Sequence, residues 1–446
     1  MSDEERGEAG CPARPLVLIQ RIQATRLAFV LAVSFAASLA ASAPGRADDF
    51  YLKDGDRVVF YGDSITAQRE YTARVEEFVL TRFPGLKVAF YHAGVGGDRV
   101  TGGGAGPIDE RLDRDVIRFK PTVVTIMLGM NDGEYKPFDQ AVFDTYAHGY
   151  RHIVERLQTE LPGVRLTLIQ PSAFDDVTRP ESVAGGYNAV LRRYADFVAS
   201  LAKERGALVV DFNTVLVQAL ERLNESNTLL ARQILPDRVH PAAAGHWIMA
   251  EALLRAWHAP ATVSAVAIDA AGPRVLTADQ ATLTGLTAAA GGLAWTAQDA
   301  ALPIPQRLDD GTMELVAAAG GNIAALDRQM MTVKGLGAGR YRLVIDDGQP
   351  GRTFTADQLA AGVDLGGTET PMVWQAMGIR WSSEDKNIVH EQWMHAMERS
   401  AKDPDQAETA RRLEAVEAAI TAEREAARWP MPHRFTVTRV DDSGGN

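Results

Sequence analysis

Three groups in this chain carry the makings of acyl chemistry. The first is Ser64, in Tyr61-Gly62-Asp63-Ser64-Ile65-Thr66, at the end of an apolar run. A hydroxyl there can point into the crevice at the carboxyl ends of a parallel sheet. The free amides of a helix N-terminus would favour negative charge beside it. A lone serine in that position also reads as an ordinary helix N-cap. The second group is Asp237 with His240, in Leu235-Pro236-Asp237-Arg238-Val239-His240-Pro241. A serine nucleophile needs a base, and that imidazole needs an acceptor to fix its tautomer. An offset of three lets the carboxylate reach the ring, although Asp-x-x-His in isolation is a common surface pair. The third group is a set of anion donors. Gly94, Gly96 and Gly97 follow the run 88–91, and Gly129-Met130-Asn131-Asp132 follows the run 122–128. Attack on an ester builds charge on its carbonyl oxygen, and each donor aimed there is worth ~3–4 kcal/mol. Taken singly, these are turn and loop residues.

Such groups must be delivered by the elements around them. Short apolar runs at 57–61, 88–91, 122–128, 165–169 and 207–211 alternate with amphipathic stretches such as 139–160, 184–205 and 242–257. In the helical pattern after Ser64, Tyr71, Val75, Phe78, Val79 and Phe83 recur at spacings of three, four or five. Fully apolar strands alternating with helices predict a parallel sheet covered on both faces. Right-handed crossovers then give a three-layer α/β/α sandwich over residues 48–258. Ala259-Pro260-Ala261 reads as a boundary. Beyond it, residues 262–446 predict a smaller β-rich module. Alternating runs near 331–333 and 340–348, the latter meeting an Asp-Gly turn, suggest antiparallel strands. Two helices follow over 384–401 and 404–429, with Leu413, Val416 and Ile420 on a helical beat. The segment 434–438 returns as a final strand.

Every one of the candidate groups follows a strand or opens a helix, in the order Ser, Gly, Asn, Asp-x-x-His. In this the sequence resembles the SGNH (GDSL-type) hydrolase superfamily. Gly62-Asp63-Ser64 is similar to its nucleophile block, and His92-Ala93-Gly94-Val95-Gly96-Gly97-Asp98 to its glycine block. Gly129-Met130-Asn131-Asp132 resembles the Gly-x-Asn-Asp block, and Asp237-Arg238-Val239-His240 the Asp-x-x-His block. The resemblance spans about residues 55–258. It implies a flavodoxin-like fold and ester hydrolysis by a Ser64–His240–Asp237 triad. It also implies an oxyanion hole of the Ser64 and Gly97 amides and the Asn131 side chain, with Gly96 second to Gly97. Two positions depart from the pattern: His92 stands where the family commonly has Asn, and Ile65 where it has Leu. Neither is one of the implied catalytic groups.

Composition bounds the alternatives. The chain has 446 residues, and 46 basic against 58 acidic side chains leave a net charge of −12. That balance gives no electrostatic support for nucleic-acid binding. A single cysteine, Cys11, excludes a disulfide framework or a Cys-built zinc site. No His-Glu-x-x-His and no Gly-x-Ser-x-Gly occurs, and the His148/His152 pair reads as a solvated helix face. Neither a metal nor a cofactor is expected. Arg21 and Arg26, the apolar stretch 27–41 and the exit Ala41-Ser42-Ala43 form an export signal over residues 1–47. A retained N-terminal anchor is the alternative, and no stable membrane insertion is expected once the signal is cleaved. The expected partner is a small-molecule or glycan ester, O-acetyl carbohydrate foremost. A lysophospholipase or thioesterase, and a non-catalytic glycan-binding protein on the same scaffold, are the competing readings. Helical spacing of Trp374, Trp381, Trp393 and Trp429 predicts a core role for them. The C-terminal helices could cover the active-site mouth or join two copies; the sequence chooses neither.

Overall fold

The structure is a computed structural model that describes residues 49–440, apart from 290, 307–309, 349 and 401–402. The export signal and Cys11 lie outside the described residues. Five strands build the first sheet: β1 (Arg57–Gly62), β2 (Ala89–Gly94), β3 (Val123–Met127), β4 (Arg165–Ile169) and β5 (Leu208–Val210). Their order is β2-β1-β3-β4-β5, all parallel. Val58, Val59, Phe60 and Tyr61 of β1 are fully buried, because both faces of the sheet are covered. Each such side chain contributes about 1.5–3 kcal/mol by leaving water.

The helices between these strands are α1 (Ser64–Ala67), α2 (Glu70–Arg82), α3 (Ile108–Asp115), α4 (Gln140–Glu160), α5 (Tyr187–Arg205), α6 (Phe212–Asn224), α7 (Thr228–Ala231) and α8 (Ala243–Ala256). Helices α2, α6 and α8 pack together in one layer, and α4 with α5 in the other. The result is the three-layer α/β/α sandwich. Register then places the site. Gly62 pairs with Gly94 on one side and with Met127 on the other. The loops after β1, β2 and β3 therefore leave the sheet side by side, at the switch point where a parallel sheet opens a crevice.

The remaining chain adds two further sheets. The strands are β6 (Thr262–Asp269), β7 (Arg274–Asp279), β8 (Ala281–Ala289), β9 (Gly292–Asp299), β10 (Arg328–Lys334), β11 (Arg340–Ile345), β12 (Arg352–Thr355), β13 (Val363–Asp364) and β14 (His433–Val440). One sheet runs β8-β9-β14-β11-β12, so the returning strand lies at its centre. The other runs β13-β10-β6-β7. The antiparallel expectation is corrected at one pairing, because β10 runs parallel to β6. The long connection between them, which includes helix α9 (Thr312–Ala318), allows that crossover. Ile304, Val316, Ile323 and Leu326 from this connection pack into the hydrophobic core of the first sheet.

After α10 (Ala356–Ala361), α11 (Pro371–Ser400) and α12 (Pro404–Ala427) form a helical hairpin. The first of the pair starts thirteen residues earlier than expected, since 384 − 371 = 13. The helix runs through Gly378, whose Cβ position faces open space. The core role of the tryptophans holds for Trp393 alone, which is buried. Trp374, Trp381 and Trp429 are 49%, 50% and 58% exposed. Trp374 and Trp381 are seven apart, two helical turns, and lie on the outer face of α11. Among the described residues no helix is long and apolar enough to cross a membrane.

Candidate active site

Ser64 is the first residue of α1, directly after β1. The N-cap of that helix is Asp63, whose Oδ1 accepts from the Ile65 amide at 3.0 Å. The capping reading of Ser64 is thereby corrected: the carboxylate one residue earlier has taken that role and leaves the hydroxyl free. The approach is tight, since a Cβ on Gly62 would lie 2.3 Å from Thr66 Oγ1, and one on Gly94 2.3 Å from the Ala67 amide nitrogen. Glycine at both positions lets α1 sit directly on the strand ends.

Asp237 and His240 arrive from the loop between α7 and α8. The Asp237 carboxylate only accepts, so His240 Nδ1 carries the proton and donates to Oδ2 at 2.7 Å. That tautomer leaves Nε2 as the acceptor for Ser64 Oγ, 2.8 Å away. The Asp237 Oδ1 accepts from the backbone amides of Val239 and His240 at 3.0 and 2.7 Å. Arg238, between them, has φ +80°, a left-handed conformation that non-glycine residues adopt at a cost. Neighbouring hydrogen bonds hold it there. The Asp175 amide donates to Arg238 O at 3.0 Å, and Arg179 donates to Leu235 O and Pro236 O at 3.1 and 2.6 Å. Partial burial pushes the Asp237 carboxyl up, but the His240 amide, the His240 ring and the Val239 amide outweigh it and hold the carboxyl below its usual range. The site is open: the side chains of His240 and Asp237 are 35% and 57% exposed.

The glycine block forms a turn after β2, closed by the Asp98 amide on Val95 O at 3.3 Å. Gly97 takes the third position with φ +73°, which is why a glycine stands there. The loop is pinned from below. Asp98 Oδ2 accepts from Arg111 Nε and Nη2 at 3.0 and 2.8 Å, deep in the protein. Asn131 stands beside it and donates through Nδ2 to Asp98 O at 3.1 Å. That leaves the second Nδ2 hydrogen unused by this bond. Ser64, as the first helical residue, has no carbonyl one turn earlier to receive its amide.

The structure thus brings Ser64, His240 and Asp237 into one hydrogen-bonded line, with Gly97 and Asn131 on the adjoining loops. His92 does not join them. It is buried behind β2, bonded to Thr72 Oγ1 at 2.8 Å and Glu76 Oε2 at 3.1 Å. Burial lowers its pKa to about 4. Among the described residues no group of three or more His, Cys, Asp or Glu could hold a metal ion. A cavity of about 650 Å³, lined by Arg57, Tyr91, Phe119, Lys386, His390 and Trp393 among others, opens at the other end of the sheet. No residue of the hydrogen-bonded line borders it.

One residue of the site was not legible in the sequence. Tyr135 donates its hydroxyl to Asn131 Oδ1 at 3.1 Å, which turns the amide nitrogen toward Asp98 and the open crevice. Its ring stacks on Tyr187 at 4.9 Å. Glu134 and Tyr135 are both left-handed, with φ +56° and +54°. Arg99, beside the glycine block, holds Glu134 at 3.4 Å. The only signal in the sequence is that Tyr135 lies four residues after Asn131, in an irregular loop. Tyr135→Phe removes the bond that orients Asn131 and keeps the ring. Steady-state kinetics should show kcat lowered roughly 5- to 20-fold with KM little changed, less than the loss of a direct oxyanion donor. Unchanged kcat would assign the hydroxyl no part in turnover.

Burial pushes the Asp63 carboxyl up to about 7 against the Ile65 amide, and the nearby Asp132 and Asp98 add to the rise. The folded protein thus holds a proton that the unfolded chain releases from about 3.8 upward. This group's contribution to stability declines as pH rises through that window to about 7. Asparagine can cap the helix without the charge. Asp63→Asn should therefore lose less thermal stability between pH 4 and 8 than the parent, measured by the unfolding midpoint. A steeper loss would contradict the assignment.

The chain is similar to known proteins over its first domain and over its whole fold. Residues 60–248 match the GDSL-like lipase/acylhydrolase family. The chain is 28% identical over 230 residues to an acetylxylan esterase of Geobacillus stearothermophilus, a match over 46% of this chain and 94% of that protein. Its fold is similar to that of a gut microbial diltiazem-metabolizing enzyme, with a TM-score of 0.76 and 21% identity. That similarity covers 87% of this chain and 98% of the other, so it extends across the C-terminal sheets and hairpin.

Proposed function

Since residues 60–248 belong to the GDSL-like lipase/acylhydrolase family and the protein is an ester-hydrolysing serine hydrolase, we propose that it removes short acyl groups, foremost O-acetyl groups on carbohydrate. We infer that Ser64, His240 and Asp237 are its catalytic triad. The observation that carries this is the unbroken line from Ser64 Oγ to His240 Nε2 at 2.8 Å and from His240 Nδ1 to Asp237 at 2.7 Å.

In the first half-reaction, Ser64 Oγ attacks the ester carbonyl carbon while His240 Nε2 takes its proton. The Asp237 carboxylate stabilises the imidazolium and keeps the ring in orientation. The amides of Ser64 and Gly97 and the Asn131 side chain receive the negative carbonyl oxygen. Collapse of the tetrahedral intermediate breaks the ester bond, and His240 returns the proton to the departing alcohol. Water then attacks the acyl-serine with His240 again as base, releasing the carboxylate and restoring Ser64.

The carbohydrate ester is supported by the acetylxylan esterase relative and by the openness of the site, where the His240 and Asp237 side chains are 35% and 57% exposed. Export is supported by the arginine flank, apolar run and small-residue exit before residue 48. The test is turnover of acetylated xylan alongside p-nitrophenyl esters of increasing chain length. Sugar deacetylation with a preference for acetyl supports the assignment. Long-chain preference without deacetylation overturns it in favour of a lipid or thioester substrate.

A further inference from the structure

The helical hairpin grips the two segments that carry Ser64 and Gly97. Val95, in the middle of the glycine block, packs with Phe119, Met397 and Leu413 against a cluster of Trp393, Met394, Ala396 and Ala410. The Val95 amide donates to Gly62 O at 3.0 Å, so this same residue ties the loop to the strand before Ser64. On the other side of α1, Arg69 is left-handed at φ +60° and buried. Its guanidinium donates to Asn387 O and, at 3.5 Å, to Met394 Sδ. The hairpin also receives the open edge of β2, the strand that leads into the loop. Lys386 Nζ donates to Phe90 O at 3.1 Å, and His390 Nε2 to His92 O at 3.2 Å. Below these contacts the buried Glu76 of α2 binds Arg424 at 2.7 Å and Lys386 at 3.3 Å. An edge strand is commonly covered by a helix. Here the cover also reaches past the strand end, onto the turn that presents the Gly97 amide.

We propose that the hairpin is a working part of the oxyanion site: Val95, Met394 and Arg69 are positioning residues that set the Gly97 turn against Ser64. This rests on the Ser64 hydrolase site proposed above. The glycines at 96 and 97 have no side chains and open space at their Cβ positions, so the turn is held by its flanking residues: Val95 on the hairpin side, and Asp98 through Arg111 and Asn131 on the other. Loosening either lets the amide drift, and a shift of ~1 Å at a reacting centre can lower a rate by about 10²-fold.

The test uses the full chain with Val95→Ala and Met394→Ala, and Val95→Ile as the conservative control. Active sites are counted with a fluorophosphonate, kcat is expressed per active site, and phenylboronic acid serves as the tetrahedral mimic. Each alanine variant is expected to lower kcat roughly 5- to 50-fold, with KM within about twofold, and to weaken boronate inhibition by a similar factor. Val95→Ile is expected to restore both. Unchanged kcat and boronate affinity, with only the unfolding midpoint lowered, would overturn the proposal and leave the hairpin a structural cover. If Met394→Ala does not fold, Val95→Ala decides, because its side chain is only partly buried. Failure of the underlying assignment looks different: Ser64→Ala would then keep its turnover and the parent would not react with the fluorophosphonate.

Discussion

Ser64→Ala is expected to lower kcat for any ester substrate by at least ~10⁴-fold while leaving the fold intact. The hydroxyl is the only group of Ser64 that the substitution removes. Its amide, the proposed donor to the oxyanion, stays. Stability should barely change, because the cap of α1 is Asp63 and the serine side chain makes one hydrogen bond, to a partly exposed imidazole. The unfolding midpoint should move by about 2 °C or less, as for a surface substitution of ~0.5 kcal/mol. The check is turnover and thermal unfolding on the same preparation. Retained turnover would remove Ser64 from the chemistry. Lost turnover with a collapsed midpoint would show only that the variant misfolds, and His240→Ala, at an open loop, would then carry the decision with the same expected loss.

The second large effect is expected from Asp237→Asn. Asparagine can keep the geometry, but its amide nitrogen can present a donor to Nδ1. The ring then carries its proton on Nε2, facing Ser64, where an acceptor is required. A buried triad carboxylate lost in this way costs about 10⁴ in kcat. Asp237 is 57% exposed, so water can take over part of its role, and a loss of about 10³-fold is expected. KM should hold, because the carboxylate meets the substrate only through His240. The backbone amides of His240 and Val239 hold the parent carboxyl below its usual range despite partial burial. It therefore stays ionised in mild acid. An unchanged kcat in the variant would exclude Asp237 from the relay.

The two variants separate what reacts from what orients. In the proposed mechanism Ser64 forms the bond, and its loss leaves only the residual stabilisation of the oxyanion donors. Asp237 acts through the ring, so its loss leaves a slower enzyme that still acylates. A burst of alcohol release in Asp237→Asn, absent in Ser64→Ala, would distinguish them.

Much of the catalytic half was legible in the residues themselves. Apolar runs such as Val58-Val59-Phe60-Tyr61 allow one environment, a strand covered on both faces, and all five were placed where the structure has them. Asp237 and His240 were legible for another reason: partners three residues apart meet through local turn geometry alone. Tyr135 was not, because an irregular loop with two left-handed residues carries no periodicity. The tryptophans of α11 misled because helical spacing says which residues share a face, and not which face meets the core. Trp393 faces α12 and Val95, while Trp374 and Trp381 look outward.

The linear chain thus determined the strands of the first sheet and pointed to each candidate reacting group, since these depend on hydrophobic pattern and on bonds between near neighbours. Folding in three dimensions decided that a hydroxyl and an imidazole 176 residues apart share a proton, that one strand of the second sheet pairs in parallel, and that a distant helical hairpin braces the glycine turn. Those outcomes depend on which buried surfaces fit together, and that is a property of the packed molecule as a whole.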